Sequence, residues 1–461
     1  MRHAGTKLRS METPRNTLWG DRSRETRGGI LLRGLSLLLL MALILSACGG
    51  GSQPNQGGGE KEVVGGQGSE ASGKPIKVGF LLDKTGALAS YGYAHERVGE
   101  AAVEYINSNG GVDGRPIQLI EVDTESDPSI ATPKARNLVQ SDKVDFLMGS
   151  NTSAIVLAVA PIADELKTVY FPTAGGALLT EPGKGNRYVF DFNTNVKQET
   201  QGVVNYITAD LPNTDQWATV VVDYSWGWDN ENSFNKNASQ EGLDVVSQTR
   251  VPLGTGDWLS NLQGNLSDQA EGVYFANFGT DFLSFMQALQ TMEPDVEKIG
   301  ANYVLSGQEI ERLGEGAEGM KVIAGYPPYC SSQMSEFDRQ YREIVGMDCQ
   351  GRAEDSGEDM VASYSWSTWE TLWAIKEVIE ESGWKSKADT QKFIETLENY
   401  EFKESLGHPE GPKHFRPEDH LSIKGAWLEE VRDGELVLVT RIDPQAMVYP
   451  PVVNYQANNP E

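Results

Sequence analysis

Only three of the 461 residues are cysteine, at positions 48, 330 and 349, which excludes a disulfide-framed scaffold and leaves no Cys-x-x-Cys spacing for redox or zinc chemistry. Histidine is scarce too, with five in the chain. Three of these, His408, His414 and His420, recur at six-residue intervals in a Pro- and Gly-containing stretch. That spacing suits neither a helix nor a hairpin metal site, so they are expected to be solvated loop residues, with no metal and no cofactor. Catalytic signatures are missing as well: there is no G-x-S-x-G, no phosphate-binding P-loop and no H-E-x-x-H, so a nucleophile with its base is not legible and an enzyme is not expected. Positive charge is in deficit, 39 basic against 66 acidic residues for a net charge of −27. A polyanion would be repelled, which excludes nucleic acid and anionic lipid surfaces as partners. The one long apolar run, from Gly34 to Leu45, holds about a dozen residues, short of the roughly twenty that cross a bilayer.

That run is nevertheless the most telling stretch present. Arg22, Arg24, Arg27 and Arg33 precede it and Leu45-Ser46-Ala47-Cys48 closes it. The pattern resembles a bacterial lipoprotein signal peptide with its lipobox, which implies export and acylation of Cys48 as the first mature residue. Residues 49–73 are rich in Gly, Ser, Gln and Glu and read as a flexible leash with little to bury. Outside the cytoplasm the two remaining thiols, Cys330 and Cys349, are expected to be bridged, a short loop worth about 3 kcal/mol in the chain-entropy model.

From Pro75 onward apolar, β-rich runs alternate with amphipathic segments, the pattern of parallel sheets with helices on both faces. A first α/β series runs from strand Ile76–Leu82 to about Asn195, with helix Ser153–Leu166 inside it. A second begins with helix Gln198–Ala209 and continues through strands Ala218–Asp223, Asp244–Thr249, Gly272–Asn277 and Lys321–Tyr326. After Pro327-Pro328 come helices Ser335–Val345, Met360–Glu381 and Thr390–Asn399, then a hairpin turning at Asp433-Gly434. Trp366, Trp369 and Trp373 fall at helical spacing and read as a core face. Roughly 390 residues beyond the leash are enough for two lobes.

Several strings are specific. Asp83-Lys-Thr-Gly86, Tyr91-Gly92, Asn107-Ser-Asn-Gly110-Gly-Val-Asp-Gly-Arg-Pro116, Asp123 and Asp127-Pro128 resemble the leucine/isoleucine/valine-binding class of periplasmic binding proteins, from about Ile76 to Asp443. The resemblance implies an α/β fold of two doubly wound parallel-sheet lobes joined by a three-strand hinge. It divides the chain into a signal peptide (1–47), a linker (48–73), an N-terminal lobe (74–195 with 329–422) and a C-terminal lobe (196–328 with 423–461). It also implies a monomeric, lipid-anchored solute-binding protein outside the cytoplasm, whose partners are a small-molecule solute and the ABC permease. A sensory receptor signalling to a membrane kinase or chemoreceptor would use the same cleft.

Matched by position, the resemblance assigns ligand contact to Tyr91, to Asn151 and Ser153 in Gly149-Ser-Asn-Thr-Ser153, to Thr173 and Gly175, and to the second-lobe aromatics Trp226 and Phe278. Ser153, opening a helix after a strand, suits a carboxylate in any case. Two departures stand out. Gly175 replaces a hydroxyl-bearing residue common in amino-acid receptors. The loop that carries a carboxylate for the ligand ammonium reads Leu305-Ser-Gly-Gln308-Glu309, with Gln308 the matching polar residue and Glu309 or Asp281 the available acids. A buried ammonium without a counter-charge is costly, so an amide, a carboxylate or an aromatic acid is favoured over an ordinary α-amino acid.

Overall fold

In the computed structural model, which describes residues 71–174, 178–302, 305, 307–326, 334–360 and 364–457, the apolar run Ile76–Leu82 forms strand β1, buried at nearly every position. An uninterrupted apolar strand needs cover on both faces, as in the centre of a parallel sheet. Helix α1 (Ala89–Ser108), β2 (Ile117–Asp123), α2 (Pro128–Gln140), β3 (Phe146–Gly149), α3 (Ser153–Glu165) and β4 (Tyr170–Phe171) follow, giving sheet order β2-β1-β3-β4. All its pairings are parallel, with Val78 opposite both Leu119 and Phe146.

The second series runs α4 (Val196–Asp210), β5 (Gln216–Val222), α5 (Ser225–Gln240), β6 (Asp244–Val251), α6 (Trp258–Leu262), β7 (Gly272–Ala276), α7 (Gly279–Met292), β8 (Glu297–Gly300), α8 (Gly307–Leu313) and β9 (Lys321–Ala324). Then come α9 (Glu336–Val345), α10 (Trp366–Ser382), α11 (Thr390–Leu397), β10 (Glu401–Phe402), β11 (Lys413–Phe415), β12 (Ser422–Ile423), β13 (Ala426–Arg432) and β14 (Glu435–Ile442). The second sheet is ordered β14-β13-β9-β8-β7-β5-β6, parallel except around β13, which pairs antiparallel with β9 and β14.

Two hydrophobic cores result. One joins residues of β1–β4 to α9–α11 and Phe415; the other joins α4–β9 to β13 and β14. Among the described residues the chain passes from one core to the other between Phe192 and Val196, between Ile323 and Tyr326, and between Phe415 and Ala426, and Leu178 also reaches the second core from within the first series. Side chains tie these passages together. Gln198 Nε2 donates to Ser422 O at 2.9 Å, Ser422 Oγ to Phe192 O at 3.1 Å, and Lys424 Nζ to Gly325 O at 3.1 Å. The Lys424 ammonium also stands 3.6 Å over the ring of Trp366, a cation–π contact at the meeting point of the cores.

Three features depart from expectation. His408 and His420 are not solvated: His408 is fully buried against Phe402, and His420 stacks on Phe190 at 3.8 Å while bonding Val189 O and Glu398. They belong to the short sheet β10-β11-β12 and its turns, which polar, Pro-containing sequence concealed. Helix α5 also went unread, because its buried face is polar: Asn230 Nδ2 donates to Trp226 O at 3.0 Å and its Oδ1 accepts the Tyr274 hydroxyl at 2.7 Å. Helix α10 starts at Trp366 rather than Met360; Trp366 and Trp369 are core, as their spacing indicates. The apolar run ending in Cys48, like Cys330 and Gly175, lies outside the described residues. Among those described, no helix is long and apolar enough to cross a membrane.

Candidate functional site

The carboxyl ends of the parallel strands in both sheets open on one cavity of about 210 Å³. Its first-lobe wall is built at the ends of β1 and β3. Helix α1 passes so close to β1 that a Cβ at Gly92 would lie 2.2 Å from Asp83 O, and this approach sets Tyr91 on the cavity wall. At the end of β3, Gly149 has φ +102° and a Cβ there would meet Leu81 O at 2.3 Å. Only glycine fits. Ser150 follows at φ +68°, and the chain then turns into α3.

The buried Asp83 carboxylate holds this turn by accepting the Asn151 N–H at 2.8 Å and the Thr124 hydroxyl; burial pushes its pKa up against those bonds. Thr152 Oγ1 accepts the Ile155 N–H at 3.1 Å and caps the helix. The amides of Ser153 and Ala154, both cavity-lining, are first-turn donors that have no acceptor within the helix.

From the second lobe come Tyr224, Trp226, Leu253 and Phe278. Their rings interlock, Trp226 edge-on to Phe278 at 5.8 Å and Tyr224 stacked beside Trp226 at 6.3 Å. Tyr364 completes the wall from the first lobe, 7 % exposed and with φ +64°. An aromatic residue in the left-handed region is an outlier that its surroundings must enforce.

The electrostatics are set by the backbone. Among the described residues lining the cavity there is no Asp, Glu, Lys, Arg or His. Instead, α1, α3, α5 and α7 all start there, on Leu88, Thr152, Tyr224 and Phe278, and α10 starts two residues beyond Tyr364. Of these five starts, only Thr152 makes a side-chain cap. Four helix N-termini on the cavity, three of them without a side-chain cap, amount to a positive potential without a cation.

Of the residues assigned by position, Tyr91, Asn151, Ser153, Trp226 and Phe278 line the cavity, and two described ones stand off it. Thr173 is fully buried behind the β3 turn, its hydroxyl donating to Ser150 O at 3.2 Å. Gln308 is spent elsewhere, Nε2 donating to Gly357 O at 3.0 Å. Of the acids available to face a ligand ammonium, Asp281 accepts the Gly254 N–H at 2.8 Å and the Trp258 indole N–H at 3.1 Å, off the wall. Glu309 stands near Tyr91 but not on the wall: loss of water, then Glu309 and Asp359, push the Tyr91 phenol up. Sequence reasoning missed Tyr224, Leu253 and Tyr364. Tyr224 lies in the string that flagged Trp226, but nothing local to Tyr364 marks it. Cys349 is disulfide-bonded.

A family model described as periplasmic binding protein matches residues 75–435. Among curated proteins, the chain is 24 % identical over 376 residues to Leu/Ile/Val-binding protein homolog 6 of Brucella melitensis, covering 80 % of this chain and 90 % of that one. Among solved structures it resembles the branched-chain amino acid transporter substrate-binding protein LivJ of Streptococcus pneumoniae in complex with isoleucine (TM-score 0.66, 19 % identity, 80 % and 99 % of the two chains). It also resembles a solute-binding protein of an ABC transporter from Rhodopseudomonas palustris in complex with p-hydroxybenzoic acid (TM-score 0.69, 22 % identity, 80 % and 98 %). Two parallel-sheet lobes around one cavity, and a family match over most of the chain, make this protein a member of the type I periplasmic binding proteins, the solute receptors of ABC transporters.

Proposed function

We propose that the protein is a lipid-anchored receptor that delivers a small carboxylate with an apolar, aromatic body to an ABC permease. The observation that carries the reading is the convergence of four helix N-termini on a cavity whose described lining has no charged side chain. A carboxylate at Ser153 and Ala154 would meet amide donors and helix dipoles, while Tyr91, Tyr224, Trp226 and Phe278 offer planar apolar surface to the rest of the molecule. An α-amino acid would bring an ammonium into that positive field without a lining carboxylate to receive it. The relative that binds p-hydroxybenzoic acid supports this class, and the one that binds isoleucine supplies the contrast to test.

Binding would be by hinge closure, with ligand settling on the first-lobe wall and the second-lobe aromatics adding contacts made only when closed. Anchoring through Cys48 and bridging of Cys349 to Cys330 belong to the same reading. Calorimetric titration of the purified protein with benzoate, 4-hydroxybenzoate, benzamide, leucine and isoleucine tests it. Tighter binding of an aromatic acid than of its amide or of either amino acid is expected; preferential binding of leucine or isoleucine would overturn the ligand class.

A further inference from the structure

Apart from the cavity's lining residues, two polar bonds join the lobes, between α8 and the chain that follows α9. On the first-lobe side, residues 346–360 between α9 and α10 fold into a tight loop. Asp348 Oδ1 accepts the N–H groups of Gln350 at 2.8 Å and Arg352 at 2.9 Å, and the bridges Met347–Ala353 and Arg352–Asp359 close the loop on itself. Arg97 of α1 clamps it from below, donating from one nitrogen to both Asp355 oxygens at 2.8 Å each and from Nε to Val345 O at 2.9 Å. Tyr93 adds a hydroxyl contact to Ser356 at 3.3 Å, and Cys349 is held by its disulfide. The loop is thus fixed to the helix that carries Tyr91.

On the second-lobe side stands α8. Glu311 meets the Arg352 guanidinium at 2.7 Å, and Gln308 Nε2 reaches Gly357 O at 3.0 Å. Glu309, between them in sequence, and Asp359 of the loop both raise the Tyr91 phenol, which places this contact in the neighbourhood of that cavity-lining residue.

We propose that the 346–360 loop and α8 form a latch, with Arg352 and Gln308 as positioning residues that hold the closed state without touching the solute, and so set how long a bound solute is retained. The proposal rests on the reading of the cavity as the solute site. Solute contacts and latch bonds must both break before the lobes part, so latch loss accelerates release while the open form still captures solute at its usual rate. The Glu311 carboxylate is 68 % exposed, and such pairs are modest and screened by salt.

The test is stopped-flow tryptophan fluorescence with 4-hydroxybenzoate, on the protein and on Glu311→Ala, Arg352→Ala, their double variant and Gln308→Leu. Dissociation faster by about two- to fivefold in each single variant is expected from the strength of an exposed pair or bond. Association and ligand-free unfolding midpoints should be unchanged. The Glu311/Arg352 double variant should be no faster than the worse single one, and added salt should hasten release from the unmodified protein but not from Glu311→Ala. Unchanged dissociation, or additive single effects, would overturn the latch. If 4-hydroxybenzoate fails to bind and the ligand class falls, the same dissociation comparison with isoleucine decides: faster release from Arg352→Ala supports the latch and unchanged release refutes it.

Discussion

Ser153 and its neighbour Thr152 divide two tasks that one residue often combines. Thr152 caps α3 through the Ile155 N–H, so Thr152→Ala should lower stability by about 1 kcal/mol with little change in affinity. Ser153→Ala should do the reverse, weakening an aromatic acid by about 1.5–3 kcal/mol, the worth of a hydrogen bond to a charged group, at an unchanged unfolding midpoint. Paired titration and thermal unfolding of the two variants check this separation. Trp226 cannot be separated in the same way. It is 8 % exposed and packs in the second core as well as on the cavity wall. Trp226→Ala is therefore expected to cost about 3 kcal/mol of stability together with at least tenfold in affinity; loss of affinity alone would mean that the ring packs against the solute only.

Among elements, the passages between cores concentrate buried charge. Glu199, at the first passage, accepts from Asn302 at 2.7 Å and Thr194 at 2.8 Å, while Asn302 accepts the Gly325 N–H of the second passage at 3.2 Å. Burial outweighs those bonds and raises the Glu199 pKa to about 7. A carboxyl whose pKa is raised on folding stabilises the protein when protonated. That contribution is whole below the unfolded value near 4.5 and declines as pH climbs through about 7. Denaturant midpoints compared at pH 5 and pH 8 should therefore fall less for Glu199→Gln than for the unmodified protein, and an equal fall would place the titration elsewhere. The elements themselves were largely legible, because strands such as β1, β5 and β7 are apolar runs and β13–β14 turns at Asp433-Gly434. What escaped was structure whose buried face is polar: α5 with Asn230, and the short strands whose turns bury His408 and His420.

At the scale of the whole molecule, the proposed hinge closure would act at the passages between the two cores, and it would need a solute with higher affinity for the closed form to drive it. Small-angle scattering should report a smaller radius of gyration when a binding aromatic acid is added, and identical profiles would remove hinge closure from the account. The loop disulfide matters here through its position. Cys349→Ser should cost about 3 kcal/mol at most by the chain-entropy model, read as a lowered unfolding midpoint without reductant. Peptide mapping of the unreduced protein should find Cys349 joined to Cys330; two alkylatable thiols would refute that pairing.

Hydrophobic periodicity and Gly-marked turns are local, so the order of βα units and the presence of two α/β series could be read from the residues alone, as could the acidic balance and the apolar run before Cys48. Position in a matched string was enough to bring Tyr91, Asn151, Ser153, Trp226 and Phe278 to the wall, because each follows a strand whose end faces the cleft. Thr173 and Gln308 lie off that wall, Thr173 buried behind the β3 turn and the Gln308 side chain bonded to Gly357 O. The character of the cavity emerged with the folded chain. Helix starts as distant as Leu88 and Phe278 act together because parallel sheets bring their strand ends to one edge. Their summed dipoles are a property of that assembly and of no residue in it.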